Sequence, residues 1–160
     1  MQDSYRNIYT NARRTAGLTQ ERWAEVLGIS VESVRLYESG ANMPSDAVVL
    51  RMAEVAGQQI VCYWHLLQKS RLASGMLPPV REKPLPEAVL DLIVKVRDFS
   101  EDGMLNLTRI AADGRVDPQE KAVYTAAMEQ LKALIGAALH IEYATKGGGE
   151  DEIPHQTGGG

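Results

Sequence analysis

The feature that most constrains the fold is the segment 18–44, in which two short helix-forming stretches are separated by one glycine. Small Ala24 lies in the first stretch, Gly28 stands at the corner, and apolar Val34 and Tyr37 lie one turn apart in the second. Two helices cross closely where a small residue meets apolar residues one turn apart on the partner helix. The segment therefore predicts two helices joined by a tight turn, with a polar outer face on the second.

Helix start and stop signals divide residues 6–70 into about five short helices. Ser, Thr and Asp cap helix N-termini, and glycine commonly ends helices. The predicted helices are one ending at Gly17, one from the Thr19 N-cap to Gly28, one at Val31–Ser39 between the Ser30 N-cap and Gly40, one from Pro44 to Gly57, and one from Gln58 to Leu72. No stretch reads convincingly as a strand, so the sequence predicts an all-α fold.

The character of the chain changes at residues 74–86, which contain four prolines. Proline lacks a backbone donor and disfavours helix in the preceding residue, so this segment is predicted to be a semi-rigid linker. The expected organisation is a first domain at 1–73, this linker, a helical domain at 87–146, and a Gly-rich acidic tail at 147–160 that is predicted to be disordered.

Apolar residues of the second half recur at 4-3-4-3 spacing, at Leu85, Val89, Leu92, Val96 and Phe99. A short helix at 101–112 and a long helix at 118–145 are predicted to follow. Two interpretations of the apolar stripe remain open, the core of a small helical domain or a dimer seam. The two are compatible, because about 60 residues form a marginal core that often gains stability by association.

The long helix is also predicted from a capping signal. Asp113–Gly114 breaks the chain, and Asp117, Pro118 and Glu120 then occupy the N-cap, N1 and N3 positions of a new helix. Gly136 in the middle of that helix costs about 1 kcal/mol relative to alanine, or else permits another helix to approach closely.

Composition excludes several classes of protein. Apolar residues make up 44% of the chain, which argues against global disorder. No apolar run approaches the about 18 residues of a membrane span, and the N-terminus lacks the order of a signal peptide, so a cytoplasmic location is expected. Cys62 is the only cysteine, which excludes intramolecular disulfides and Cys-rich zinc sites.

Charge is divided unevenly along the chain, whose formal net charge is −4. Residues 1–70 hold seven basic and seven acidic residues, whereas residues 71–160 hold ten basic and fourteen acidic residues. The first half is therefore neutral, and its attraction to nucleic-acid phosphates should be modest.

No motif indicates catalysis. His65, His140 and His155 are widely separated and lack metal-ligand spacing. The segment 112–120 lacks the alternating acidic ligands of a calcium loop, and no glycine-rich phosphate loop is present. We therefore expect no enzymatic activity, no metal and no cofactor.

The order and spacing of LTQERWAEVLGIS, SVRLYESG and MPS resemble the Cro and phage-repressor family of helix-turn-helix DNA-binding proteins, known as the XRE type. The resemblance covers residues 6–70. It implies a five-helix domain like that of lambda repressor, in which the second and third helices form the motif and the third enters the major groove of DNA.

The resemblance also implies roles for individual residues. Gln20 matches a family glutamine that donates to a backbone phosphate, and it could also brace the start of the recognition helix. Glu38 matches an acidic residue that braces the domain internally. The expected DNA-contacting residues are Gln20, Ser30, Val31, Glu32, Ser33, Arg35, Leu36 and Ser39.

The chemistry of DNA suggests partners for six of the side chains in this set. Arg35 could bond to guanine in bidentate fashion, and Glu32 could accept from cytosine. Val31 and Leu36 could pack on a thymine methyl, while Ser33 and Ser39 could hold phosphates or base edges.

The sequence thus predicts a transcriptional regulator, acting as a repressor, that binds double-stranded operator DNA as a homodimer. A competing hypothesis is a protein-interaction or antitoxin-like adaptor, in which the C-terminal helices bind a protein partner and DNA binding is secondary or lost.

Overall fold

The structure is a computed structural model that describes residues 7–145. These residues form helices that are joined by loops and turns. The chain divides into two compact units, unit 1 at Met1–Arg81 and unit 2 at Glu82–Gly160. Within the described residues, no helix is long and apolar enough to cross a membrane. The all-α prediction is confirmed. The tail at 147–160 lies outside the described residues.

Unit 1 contains six helices among its described residues: α1 Ile8–Thr15, α2 Gln20–Leu27, α3 Val31–Ser39, α4 Asp46–Ala56, α5 Ile60–Lys69 and α6 Arg71–Met76. The predicted caps form. Thr19 Oγ1 accepts from the Arg22 backbone N–H at 3.2 Å, and Ser30 Oγ accepts from the Ser33 N–H at 3.0 Å. The bounds of α3 match the prediction residue for residue.

The core of unit 1 is built from large side chains contributed by five helices. Trp23 on α2 is fully buried, and Val34 on α3 packs into the same interior at 1% exposure. The other large, almost fully buried side chains of the unit are Ile8, Val49, Met52, Ile60, Val61 and Val80. Burial of each such side chain contributes about 1.5–3 kcal/mol, so this interior is sufficient to hold the short helices together.

The structure differs from the prediction at the end of unit 1. The predicted helix from Gln58 to Leu72 is interrupted at Ser70, whose hydroxyl oxygen accepts from the Ala73 N–H at 3.1 Å and begins α6. Serine competes for backbone bonds in this way, so it favours a new N-terminus over continuation.

The segment predicted to be a linker is also largely part of unit 1. Tyr63 Oη donates to the Pro78 carbonyl at 2.5 Å, Trp64 Nε1 donates to the Val80 carbonyl at 2.8 Å, and Val80 is fully buried. A proline lacks the backbone N–H donor but keeps its carbonyl acceptor. In this segment the carbonyls of Pro78 and Val80 accept hydrogen bonds from side chains of α5. Residues 77–81, the C-terminal segment of unit 1, are therefore packed against the domain.

Unit 2 contains α7 Leu85–Asp98, a π-helical turn at Phe99–Gly103, α8 Met104–Ile110 and α9 Lys121–Glu142. This wide turn joins α7 to α8 without a break, whereas the sequence predicted a separate short helix at 101–112. Gly103 is buried there, and a Cβ atom on it would lie 2.5 Å from Gln130 Oε1 and 2.6 Å from Phe99 Cδ2. A side chain at this position would have to displace the Phe99 ring and the end of the Gln130 side chain.

The predicted capping-box bonds between Asp117 and Glu120 form, but they close a turn at 118–120, and α9 itself begins three residues later than predicted, at Lys121. Asp117 Oδ1 accepts from the Gln119 and Glu120 N–H groups at 2.8 and 3.0 Å, and Glu120 Oε2 accepts from the Asp117 N–H at 3.2 Å. α9 ends at Glu142, before the predicted Thr145. Thr145 N–H donates instead to the Lys83 carbonyl at 3.1 Å, so the end of α9 meets the start of α7 and the two helices are antiparallel.

The interior of unit 2 consists mainly of small residues, namely Ala88, Gly103, Ala127, Gly136 and Ala137, with Ile110 as the one large member. Small residues bring the helix backbones close but bury little apolar area. The apolar stripe of α7 is accordingly split. Leu92 and Phe99 are half-buried, whereas Val89 and Val96 are 38% and 44% exposed.

Candidate nucleic-acid interface

The turn between α2 and α3 is fixed by backbone bonds at Gly28. Gly28 has a φ of 70°, in the left-handed region that glycine adopts without strain. Its N–H donates to the Glu25 carbonyl at 3.2 Å, and the Ile29 N–H donates to the Ala24 carbonyl at 3.0 Å. This pattern closes α2, and Ser30 begins α3 two residues later. The two helices are therefore held at a defined angle.

The outer surface of α3 carries most of the predicted DNA-contacting set. Glu32, Arg35 and Ser39 are exposed, as is Ser30 at the N-cap. Val31, Ser33 and Leu36 are half-buried around them. Val34 points into the core, so α3, which has nine residues, has one buried face that anchors it and one accessible face.

Gln20 is not placed as expected. It lies at the start of α2, and its Nε2 donates to Glu38 Oε2 at 2.8 Å, near the end of α3. The expectation that it braces the start of the recognition helix is therefore wrong. An amide reaching from the first turn of α2 meets the last turn of α3, because the two helices pack against each other. A phosphate contact by Gln20 would have to share or replace this bond.

Glu38 is the internal brace that the resemblance implied. Arg13 on α1 bonds to both carboxylate oxygens, with Nε 2.5 Å from Oε1 and Nη2 3.0 Å from Oε2. Arg13 Nη1 also donates to the Leu18 carbonyl at 2.8 Å. The two ion-pair side chains are only 14% and 9% exposed. Arg13 therefore links three elements, namely α1, the loop that precedes α2, and α3. The sequence did not predict this role.

The electrostatics of this brace favour a charged Glu38. Burial raises the pKa of Glu38, but hydrogen bonds from Arg13 and Gln20 and the charge of Arg13 outweigh burial and lower it below the ordinary value. The hydrogen bond to Glu38 likewise raises the pKa of Arg13. A bidentate arginine–carboxylate pair fixes orientation as well as charge, so the brace holds α3 rigidly.

The polar groups on the outer surface of α3 bond to one another in the free protein. Ser30 and Ser33 hydroxyls lie 2.8 Å apart, and Ser39 Oγ donates to the Leu36 carbonyl at 3.1 Å. Arg35 and Glu32 approach only to 3.7 Å, with side chains 57% and 69% exposed. Such an exposed pair is worth about 0–1 kcal/mol, so both side chains are free to exchange partners when a base edge is presented.

Cations near this surface are few and have acceptors. Arg22 pairs with Glu25 at 2.5 Å, and Arg51 Nε donates to the Val26 carbonyl at 3.1 Å. This arrangement agrees with the neutral charge of residues 1–70 and with weak general attraction to phosphates. Within residues 7–145, no group of three or more His, Cys, Asp or Glu side chains could hold a metal ion.

A family model described as a helix-turn-helix domain matches residues 11–60. The match begins within α1, contains α2, α3 and α4, and ends at the first residue of α5, so it covers the elements that position the accessible face of α3. It supports a helix-turn-helix DNA-binding domain in unit 1. A search of curated proteins found no match, and neither did a search of solved structures.

Proposed function

We propose that this chain is a sequence-specific transcriptional regulator, a repressor of the XRE type that acts in the cytoplasm without catalytic activity. The observation that carries the proposal is the accessible face of α3, which is anchored by Val34 and Glu38 and leaves Glu32, Arg35 and Ser39 exposed. A short, rigidly held helix with such a face fits the major groove.

Arg35 is the residue with the largest proposed share in specificity. Its guanidinium can leave the weak 3.7 Å contact with Glu32 and bond in bidentate fashion to guanine, which discriminates by about 1–3 kcal/mol. Glu32, once released, can accept from a cytosine amino group. Val31, Leu36 and the serines supply smaller contacts.

A homodimer is the second part of the proposal, because one recognition helix touches few base pairs. Two copies would bind half-sites about 34 Å apart, one helical turn of DNA. Unit 2 provides a surface for such pairing. On α7, the exposed apolar residues Leu85, Val89, Ile93 and Val96 fall on one side of the helix at 100° per residue.

The side of α9 next to this stripe is apolar as well. Because α7 and α9 are antiparallel, Leu131 and Ile135 lie on the same side of the pair as the α7 stripe. Asp91 and His140, whose side chains approach to 3.9 Å, mark the opposite edge. This side of unit 2 is mainly apolar and includes the charge of Glu142, seven residues after Ile135, so two copies can bury its apolar part against each other.

Selection of bound sites from a random DNA pool tests the proposal. We expect enrichment of a short motif repeated with two-fold symmetry. Arg35→Ala should relax the preference at one base position in each half-site, while Arg22→Ala, an exposed arginine outside the predicted set, should leave the motif unchanged. An absence of enrichment at low salt, or an Arg35→Ala motif identical to that of the wild type, would contradict DNA reading by α3.

The adaptor hypothesis remains the second candidate. The observation that favours it is that the exposed Arg22 and Arg35 already lie near carboxylates, together with the extensive apolar surface of unit 2. Analytical ultracentrifugation, which measures the oligomeric state, distinguishes the adaptor hypothesis from the dimeric regulator. Ile93→Lys should convert a dimer to a monomer and weaken operator binding together. A monomeric wild type would instead leave the apolar surface for a different protein.

A further inference from the structure

The outer side of α4 and α5 contains a concave groove of about 640 Å³. Its floor is apolar, formed by Val49 and Leu50 from α4 and by Cys62 and Leu66 from α5, and Leu72 of α6 also lines the groove. Leu50 and Leu66 remain 54% and 45% exposed. Sites for small organic ligands have volumes of about 300–1,000 Å³ and this kind of lining.

The polar groups of the groove are gathered at one end. Asp46 Oδ1 accepts from Lys69 Nζ at 2.6 Å and lies 3.1 Å from His65 Nε2. His65 is 4% exposed, and its Nδ1 lies 2.8 Å from Tyr9 Oη. The Asp46 carboxylate thus has its charge offset by Lys69 and its position fixed by a buried side chain.

Arg71 adds a positive charge at the same end. It is exposed, lines the groove, and makes no ion pair with any residue in the described range 7–145. With Asp46 and Lys69 compensating each other, the polar end therefore has a net charge of +1. Burial raises the pKa of the Cys62 thiol, so the floor itself stays uncharged at neutral pH.

We propose that this groove binds an amphipathic carboxylate, with the apolar part on the α4–α5 floor and the carboxylate at Arg71 and Lys69. The charge at the polar end and the apolar floor together select this class over a cationic or a fully apolar molecule. The site lies on α4, α5 and α6, away from the accessible face of α3. It is independent of the proposed function, since it requires neither DNA binding nor a dimer.

Cys62, the only cysteine of the chain, provides a local reporter for the test. The rate at which iodoacetamide alkylates Cys62 in the full chain is measured with decanoate, decyltrimethylammonium or decanol, each below the concentration at which it forms micelles. We expect saturating decanoate to slow alkylation at least fivefold, and the other two probes to require at least tenfold higher concentrations for the same protection.

Arg71→Ala should raise the decanoate concentration for half-protection about tenfold, because it removes the unpaired cation and leaves the floor unchanged. Arg22→Ala, which removes an exposed arginine on α2, is the matched control and should have no effect. Absence of saturable protection, equal protection by the three probes, or an unchanged Arg71→Ala response would each overturn the proposal. Protection that rises with protein concentration without any probe would assign the groove to a second copy of the chain and would also overturn it.

Discussion

The two units contrast in how they bury apolar side chains. Unit 1 encloses Trp23, Met52, Ile60 and other large residues, and exposes five large apolar side chains in its described part. In its described part, unit 2 closes around alanine and glycine and exposes twelve. Monomeric domains rarely expose large contiguous apolar patches, and a standard interface buries about 800 Å² per partner. We therefore expect unit 1 to be stable by itself, and unit 2 to gain stability from the association proposed above.

Removal of a large core side chain from unit 1 should have the largest effect. Trp23→Ala empties a fully buried site between α2 and its neighbours and should destabilise unit 1 by about 3–5 kcal/mol. Chemical denaturation of the full chain, followed by circular dichroism, measures this. A loss below about 1 kcal/mol would mean that unit 1 also depends on something outside its own core.

Unit 2 should be sensitive at its closest backbone approach instead. Gly103→Val places a side chain within 2.5–2.6 Å of Gln130 and Phe99, so it should cost about 2–3 kcal/mol through overpacking. Gly75→Ala in α6 meets nothing within 4 Å and serves as the control, with a small gain expected. Equal unfolding midpoints for Gly103→Val and the wild type would refute the close contact.

The brace between α1 and α3 should give an intermediate effect that depends on pH. Glu38→Gln removes the charge that Arg13 requires and should cost about 2 kcal/mol at pH 7, whereas Glu32→Gln in the exposed pair should cost less than about 0.5 kcal/mol.

The sign of the pH dependence follows from the lowered pKa of Glu38 in the folded state. The contribution of this group is fully present above the ordinary carboxylate pKa of the unfolded chain, and it is lost as pH falls through the lower folded value. Denaturation curves across the acid range should therefore converge for wild type and Glu38→Gln. A gap between them that stays constant with pH would contradict the ion pair.

The smallest expected effect is a difference between the two units in how their stability depends on protein concentration. If unit 2 is stabilised by a second copy, its apparent stability should rise by about 1.4 kcal/mol per mole of dimer for each tenfold increase in protein concentration, while that of unit 1 stays fixed. Thermal unfolding at several concentrations measures this. A concentration-independent transition for both units would remove the main support for the dimer.

Local signals were sufficient to predict much of the fold. The bounds of α3 follow from Ser30 and Gly40, and the turn that leads into α9 follows from Asp117 and Glu120, because capping depends on neighbours within four residues. The wide turn at Phe99–Gly103 was not predicted, since it depends on contacts with α9, and the break at Ser70 was not predicted although the Ser70 cap bond is local.

Some features of the candidate site could likewise be predicted from the sequence, and others could not. The positions of Arg35 and Glu32 on the accessible face of α3 follow from helical periodicity around Val34. The Arg13–Glu38 pair and the Gln20 bond join residues that are 25 and 18 positions apart. Helical spacing within one element carries no information on such pairs, so only the packed structure revealed them.

The bond between Trp64 Nε1 and the Val80 carbonyl has a spectroscopic consequence. Both tryptophans of the chain, Trp23 and Trp64, belong to unit 1. Indole fluorescence therefore reports on unit 1 alone, and the indole of Trp64 reports on whether residues 77–81 are attached. Detachment of that segment would expose this indole to water and shift its emission to longer wavelength before the helical signal of the chain changes.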